Sequence, residues 1–184
     1  MQTTPVFPRL HRLPAAGRRC HGFTLIELMT ATVVLAVLLA VAVPGLSSFI
    51  RSSRVSASQT ELVSSFMLAR SEATKRGISV GVAAAVPASG AEFSGGWTVW
   101  EDANSDGAVD VGEAVIRRYP ALTGDIGIKT ISGANVVVFS PAGFLVPSTA
   151  VNFKVCGKTS ATKGFTVLLE PIGLTDVQGG VTCP

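Results

Sequence analysis

Polarity changes three times along this chain, and each change predicts a different element. The first 22 residues are polar and basic, with Arg9, Arg12, Arg18 and Arg19. From Phe23 to Val43 the sequence is apolar almost without interruption, and Glu27 is the one charged residue in it. Those 21 residues match the roughly 20 that a helix needs to cross a bilayer core. Further on, Val55, Leu62, Phe66, Ala69 and Ala73 recur at helical spacing, while Ser58, Gln59, Ser65, Arg70, Glu72 and Lys75 fill much of the remaining surface. That stripe predicts a helix with one face laid on a core. Lys75 and Arg76 suit the negative end of its dipole, and Gly77 is a natural stop. One long helix over 23–76, with Pro44 inside it, is the expectation.

Beyond Gly77 the pattern shortens. Apolar runs of β type at 78–86, 97–101, 114–119, 126–132, 136–140, 152–156 and 165–170 are separated by Gly, Pro, Asn and Ser, with an edge strand near 174–177. This spacing predicts antiparallel sheets rather than βαβ units. The fold class is α+β. A long N-terminal helix, transmembrane over about 23–43, should pack through its second half on a β-sheet head spanning 77–184, with no internal repeat.

Charge gives the apolar segment an orientation. Four arginines precede it and only Arg51 and Arg54 follow closely, which keeps the N-terminus cytoplasmic and sends the remainder across the membrane. A secretory signal would place a small-residue cleavage site after its apolar region; here the small residue at the polarity change is Gly22. Cleavage between Gly22 and Phe23 would remove the basic leader, 1–22, and leave the apolar helix attached. Glu27 costs about 2.5–3.5 kcal/mol at the centre of a bilayer helix, so it needs a partner. A plain uncleaved anchor explains the hydropathy but not this acid at this distance from Gly22.

The residues Gly22-Phe23-Thr24-Leu25-Ile26-Glu27-Leu28 resemble the prepilin signature of type IV pilins and pseudopilins. The resemblance implies cleavage after Gly22 by a prepilin peptidase and N-methylation of Phe23. It also implies that Glu27, fifth in the mature chain, pairs with the N-terminal amine of a neighbouring subunit. Two opposite charges tolerate a lipid or fibre core better than one alone. Other pilins or pseudopilins in a helical fibre, the peptidase, an inner-membrane assembly platform and membrane lipid are the partners it implies. The chain would be a single-pass protein of the bacterial inner membrane, with its head in the periplasm.

Loss of the leader changes the composition that matters. The basic balance of the whole chain, 15 Lys+Arg against 12 Asp+Glu, becomes 11 against 12. From Gly77 onward the chain is mildly acidic, which gives no general attraction for nucleic acid. Cys20 leaves with the leader, and the remaining pair, Cys156 and Cys183, is most simply one disulfide formed in an oxidising compartment. Both histidines, His11 and His21, also lie in the leader. Without histidine the mature chain has no Ser–His or Cys–His pair and no usual zinc set, so no enzymatic activity is expected.

One segment carries candidate chemistry. Residues 102–113 match the D-x-[DN]-x-[DN]-G-x₅-E calcium-loop pattern. Asp102, Asn104 and Asp106 would supply oxygens, the Ala108 position a backbone carbonyl, Asp110 a water-mediated contact and Glu113 a bidentate carboxylate. Gly107 stands at the sharp turn. Calcium is the only cofactor candidate. The flanking Trp-Thr-Val-Trp and Ala-Val-Ile-Arg-Arg-Tyr read as strands, not the helices of an EF-hand, and an Asx- and Gly-rich hairpin explains the same residues.

Most of the mature chain further resembles the GspH/FimT group of minor pseudopilins and minor type IV pilins. The matching elements are Leu68-Ala69-Arg70-Ser71-Glu72-Ala73, Arg76-Gly77, Gly96-Trp97, the acidic hairpin, Phe139-Ser140-Pro141-Ala142-Gly143, Phe153-Lys154-Val155-Cys156 and Cys183. The resemblance implies a minor pseudopilin of a type II secretion pseudopilus that supports protein export across the outer membrane. The alternative is a FimT-like minor pilin acting in pilus assembly or DNA uptake. DNA-binding members resemble one another in a Gly-Arg-x-Arg element, whereas Gly173-Leu174-Thr175-Asp176 here lacks both arginines. Lys154, Lys158 and Lys163 are the remaining candidates for phosphate contacts, and on an acidic head they read as a solvated face. A free-standing anchored calcium-binding domain would have no use for Gly22 or Glu27.

Overall fold

The computed structural model describes residues 22–85, 93–124, 126–157 and 163–183. Helix α1 spans Leu25–Arg76 and continues through Pro44. It starts two residues later than hydropathy suggests because Thr24 caps it. The Thr24 Oγ1 accepts the Glu27 backbone N–H at 3.3 Å, and the Leu28 N–H donates to the Thr24 carbonyl. Thr24-Leu25-Ile26-Glu27 is a Thr-x-x-Glu start signal, legible in the sequence but overshadowed there by the apolar run.

Contacts divide the chain into two compact units at Ala42 and Val43. That boundary falls inside α1. In the first unit every described residue is exposed, and α1 is long and apolar enough to cross a membrane. Its hydroxyls are already satisfied: Thr30 donates to the Glu27 carbonyl and Thr32 to that of Met29, at 3.0 and 2.9 Å.

Among the described residues, the second unit joins the remainder of α1 to nine strands: β1 (Ser79–Ala84), β2 (Trp97–Asp102), β3 (Val115–Tyr119), β4 (Ile126–Thr130), β5 (Val136–Phe139), β6 (Leu145–Val146), β7 (Val151–Gly157), β8 (Lys163–Leu169) and β9 (Thr175–Thr182). They form a five-stranded sheet, β3-β2-β1-β5-β6, and a four-stranded sheet, β4-β7-β8-β9. All pairings are antiparallel. Val55, Leu62, Phe66, Ala69 and Ala73 of α1 meet Val80, Val82, Val99 and Phe139 of the first sheet and Ile128, Phe153, Val155 and Leu169 of the second in one core. Phe66 and Phe153 rings lie 5.0 Å apart, and Phe93 meets Phe153 edge-on at 5.3 Å. Each such buried side chain contributes about 1.5–3 kcal/mol.

Three features depart from the sequence expectation. Ser58 and Ser65 are buried, not part of the polar surface. Ser65 can be so because its hydroxyl donates to the Leu62 carbonyl at 2.6 Å, leaving no orphan donor. The two-residue β6 adds to β5 beyond a turn at Gly143. β9 runs eight residues, well past the expected edge strand, although Gly179 and Gly180 are poor strand formers; pairing with β8 along its length holds it. Of the first predicted run, residue 86 lies outside the described residues.

Candidate functional site

Gly22 and Phe23 precede the first turn of α1 and are exposed, so the bond between them lies outside the helix. Glu27 sits in that first turn, also exposed. Its carboxylate has no partner among the described residues. An acid here favours the positive helix end, yet within an apolar medium it would still want a cation from outside.

Cys156 and Cys183 are joined, with an S–S distance of 2.06 Å and Cα atoms 5.7 Å apart. The bond ties the end of β7 to the last described residue after β9, across β8 between them. Gly164 makes the crossing feasible. A Cβ there would stand 2.6 and 2.7 Å from the two sulfurs and 2.5 Å from the Val155 carbonyl oxygen.

The 102–113 segment is a hairpin loop whose polar atoms are turned on one another. Asp102, fully buried at the end of β2, accepts the N–H groups of Asp106 and Gly107 at 3.1 and 3.2 Å. Burial pushes its carboxyl above the ordinary aspartate value, against those two hydrogen bonds. Asn104 donates to Asp106 and Asp110, and Asp106 accepts from Ala108. Glu113 closes the loop by accepting the N–H groups of Ala103 and Asp110 at 3.1 and 3.0 Å. The Ala108 carbonyl accepts the Trp100 indole N–H at 3.2 Å. The loop thereby covers Trp100, whose ring lies so close over Gly81 that a Cβ would fall 2.2 Å from it. Most of the oxygens a calcium ion would need thus accept protein donors, one oxygen of Asp110 excepted, and no cluster of three His, Cys, Asp or Glu arranged for a metal occurs among the described residues. An ion here would share these oxygens with the backbone and side-chain donors they already accept. Adding calcium to about 1 mM, the range of extracellular sites, is expected to leave the thermal midpoint of the protein unmoved, measured by circular dichroism.

Lys154 lies opposite Lys129 on β4 and Thr166 on β8, Lys163 is exposed at the start of β8, and Lys158 lies outside the described residues. Sequence reasoning missed Arg70. It is half-buried and donates from Nη1 to the Gly173 carbonyl at 3.0 Å. Gly143 and Gly173, both at positive φ, bring two turns against it; a Cβ on either would stand 3.1 or 3.0 Å from its Nε. Glycines after Pro141-Ala142 and Pro171-Ile172 were the available signal. Glu72, by contrast, pairs with Arg76 on its own helix, and Arg76 also reaches Glu101 of β2. The Arg76 guanidinium holds the Glu72 carboxyl below its usual range.

A capped apolar helix followed by this two-sheet unit meets its match in known families. The family model described as type II transport protein GspH covers residues 58–173, more than half of the chain. The chain belongs to the GspH family. A second model, the prokaryotic N-terminal methylation motif, covers residues 17–43 of this GspH-family protein. Its fold is shared by two solved structures of low sequence identity. The type IV minor pilin FimU of Pseudomonas aeruginosa is 18% identical with a TM-score of 0.58, over 74% of this chain and 99% of that one. The minor pseudopilin EpsH from the Type 2 Secretion System of Vibrio cholerae is 13% identical with a TM-score of 0.51, over 68% and 97%. No curated protein matches it in sequence. It is thus a pilin-like, membrane-anchored subunit of a class that assembles with other pilins.

Proposed function

We propose that this chain is a minor pseudopilin of a type II secretion pseudopilus, assembling through its N-terminal helix to support protein export across the outer membrane. The observation that carries the reading is the GspH family match over 58–173 joined to the methylation motif over 17–43. Peptidase cleavage after Gly22 frees the Phe23 amine, which is then methylated. The subunit waits in the inner membrane with its N-terminus cytoplasmic and its β-rich part in the periplasm, where a disulfide is at home. An assembly platform passes it into the fibre, and there Glu27 meets the amine of a neighbour. Chemistry plays no further part in this scheme; extraction from lipid and stacking of helices do the work.

The DNA-uptake alternative draws no support from the Gly173–Asp176 turn, which presents Leu174 and Asp176 where that activity would want cations. Two measurements test the proposal together. Mass spectrometry of the protein from its native host is expected to show a chain beginning at N-methylated Phe23. Deletion is expected to trap folded cargo in the periplasm while leaving DNA uptake intact. Normal export with lost DNA uptake would transfer the chain to the pilus reading.

A further inference from the structure

An edge strand of an open sheet offers unpaired N–H and C=O groups to any extended chain unless the fold guards it. The two sheets end on β3, β6, β4 and β9, and the first three of these edges are guarded. On β4 the Ser94 hydroxyl takes both outward groups of Ile128, accepting the N–H at 2.9 Å and donating to the carbonyl at 3.3 Å. β6 is two residues long, its Leu145 N–H donates to the Pro171 carbonyl at 2.9 Å, and Pro147 follows it. β3 carries Arg117 and Arg118 side by side and breaks register against Val99 and Trp100.

β9 is left open. The Glu170 N–H donates to the Leu174 carbonyl, and the register then runs unbroken from Leu169↔Thr175 to Phe165↔Gly179. In an antiparallel ladder Asp176 and Gln178 therefore bond to β8, while Thr175, Val177 and Gly179 turn their N–H and C=O groups away from it. No other strand pairs with these three among the described residues. Asp176 is the one charged residue of β9, and the irregularity at Gly180, with φ at 82°, lies past the regular stretch. Val177 stands across from fully buried Val167 and is still 38% exposed, so the core-facing row Phe153–Val167–Val177 ends unfinished. The Cys156–Cys183 bond holds the far end of the strand, so little ordering is needed on pairing.

We propose that β9 receives an extended segment of a different pilin-class subunit, which adds a strand to the second sheet through Thr175, Val177 and Gly179. Main-chain groups on every second residue fit another strand, and they fit neither a helix, a lipid nor a nucleic acid. The added strand sets an apolar residue beside Val177 and a cation beside Asp176, to which Gln178 donates at only one oxygen. A second copy does not fit. Copies stacked with their helices pointing one way are related by a screw, whereas a β9–β9 ladder needs a two-fold. The other three edges such a copy could offer are guarded. This contact rests on the reading of the chain as a fibre subunit.

Proline tests the backbone directly, because the Val177 N–H points away from β8 and its loss breaks no bond of the ladder. In the native host, full-length Val177→Pro is expected to form its disulfide yet fall about tenfold in sheared fibres, the worth of one well-made hydrogen bond. Val177→Thr keeps the N–H and should stay at the wild-type level. Normal incorporation of Val177→Pro, or an equal loss with Val177→Thr, would overturn the edge pairing. Hydrogen exchange needs no variant: the Thr175, Val177 and Gly179 amides should exchange freely in the detergent-solubilised chain and at least about tenfold more slowly in fibres. Equal rates in both would overturn it too. A benzoylphenylalanine photocrosslinker in place of Gln178 identifies the occupant, and the adduct expected in fibres is to another pilin-class subunit, weakened by Asp176→Lys. A dimer of this chain, an adduct to exported cargo, an adduct indifferent to Asp176→Lys, or none at all would each overturn the proposed partner. Absence of the wild-type chain from fibres sinks the fibre reading itself; wild type and Val177→Pro present alike sinks only this contact.

Discussion

Glu27→Ala is expected to remain in the membrane and to vanish from the fibre. Insertion should improve, since the substitution removes an acid that costs about 2.5–3.5 kcal/mol in a bilayer helix. Assembly should suffer, because the neighbour's amine would then be buried without a counter-charge. Breaking a buried pair from one side costs roughly 3–5 kcal/mol, which corresponds to at least a hundredfold loss of incorporation at about tenfold per 1.4 kcal/mol. Glu27→Gln separates charge from shape: it keeps the size and hydrogen-bonding capacity, and should fail nearly as badly. The measurement is the ratio of this subunit to the others in sheared or overproduced fibres, beside its amount in membranes. Normal incorporation of Glu27→Ala would remove Glu27 from assembly and leave it as part of the Thr24 cap region alone.

Removing the disulfide is the second large effect. Cys156 and Cys183 are 27 residues apart in sequence, and closing a loop of that length stabilises by about 3–4 kcal/mol in the chain-entropy model. The paired Cys156→Ser and Cys183→Ser variant should lose that much in urea unfolding, followed through the buried Trp97 and Trp100. Gly164→Val should approach the same loss by a different route, since its side chain would occupy the space of both sulfurs. A loss below about 1 kcal/mol, the worth of an ordinary hydrogen bond, would mean that β9 is held by its pairing with β8 and needs no staple.

The helix and the disulfide were legible because their signals are local or arithmetical. Val55, Leu62, Phe66, Ala69 and Ala73 are all buried in the core as their spacing requires, and two cysteines outside the leader leave one pairing. The sheets were legible in outline, since Val and Ile runs between turn residues can hardly be anything else. β6 was not, for two residues make no period. β9 was underestimated because its stability comes from a neighbour and not from its own polar, Gly-rich sequence. Trp97 and Trp100 show a subtler limit. They face opposite sides of β2, so alternation predicts one exposed ring, yet both are fully buried. The acidic loop folds back over Trp100, and only tertiary structure reveals that cover. Oxygen spacing in the same loop suggested a cation, and the same residues also form Asx turns closed on backbone N–H groups. Arg70 was the least visible. On a helical wheel it is another solvated charge, and the partners that give it meaning are two turns about 70 and 100 residues away, close enough to touch only because glycine has no side chain.

Thr30 and Thr32 in the apolar stretch of α1 bond to carbonyls of their own helix. If the subunit moves from lipid into a fibre as proposed, it carries these hydroxyls with their needs already met. No bond to lipid headgroup, water or neighbour has to be exchanged on the way, so the move between the two surroundings meets no polar toll from them. Glu27 is the one charged side chain of that stretch, and under the proposed assembly its unmet demand would tell the helix when it has reached its place.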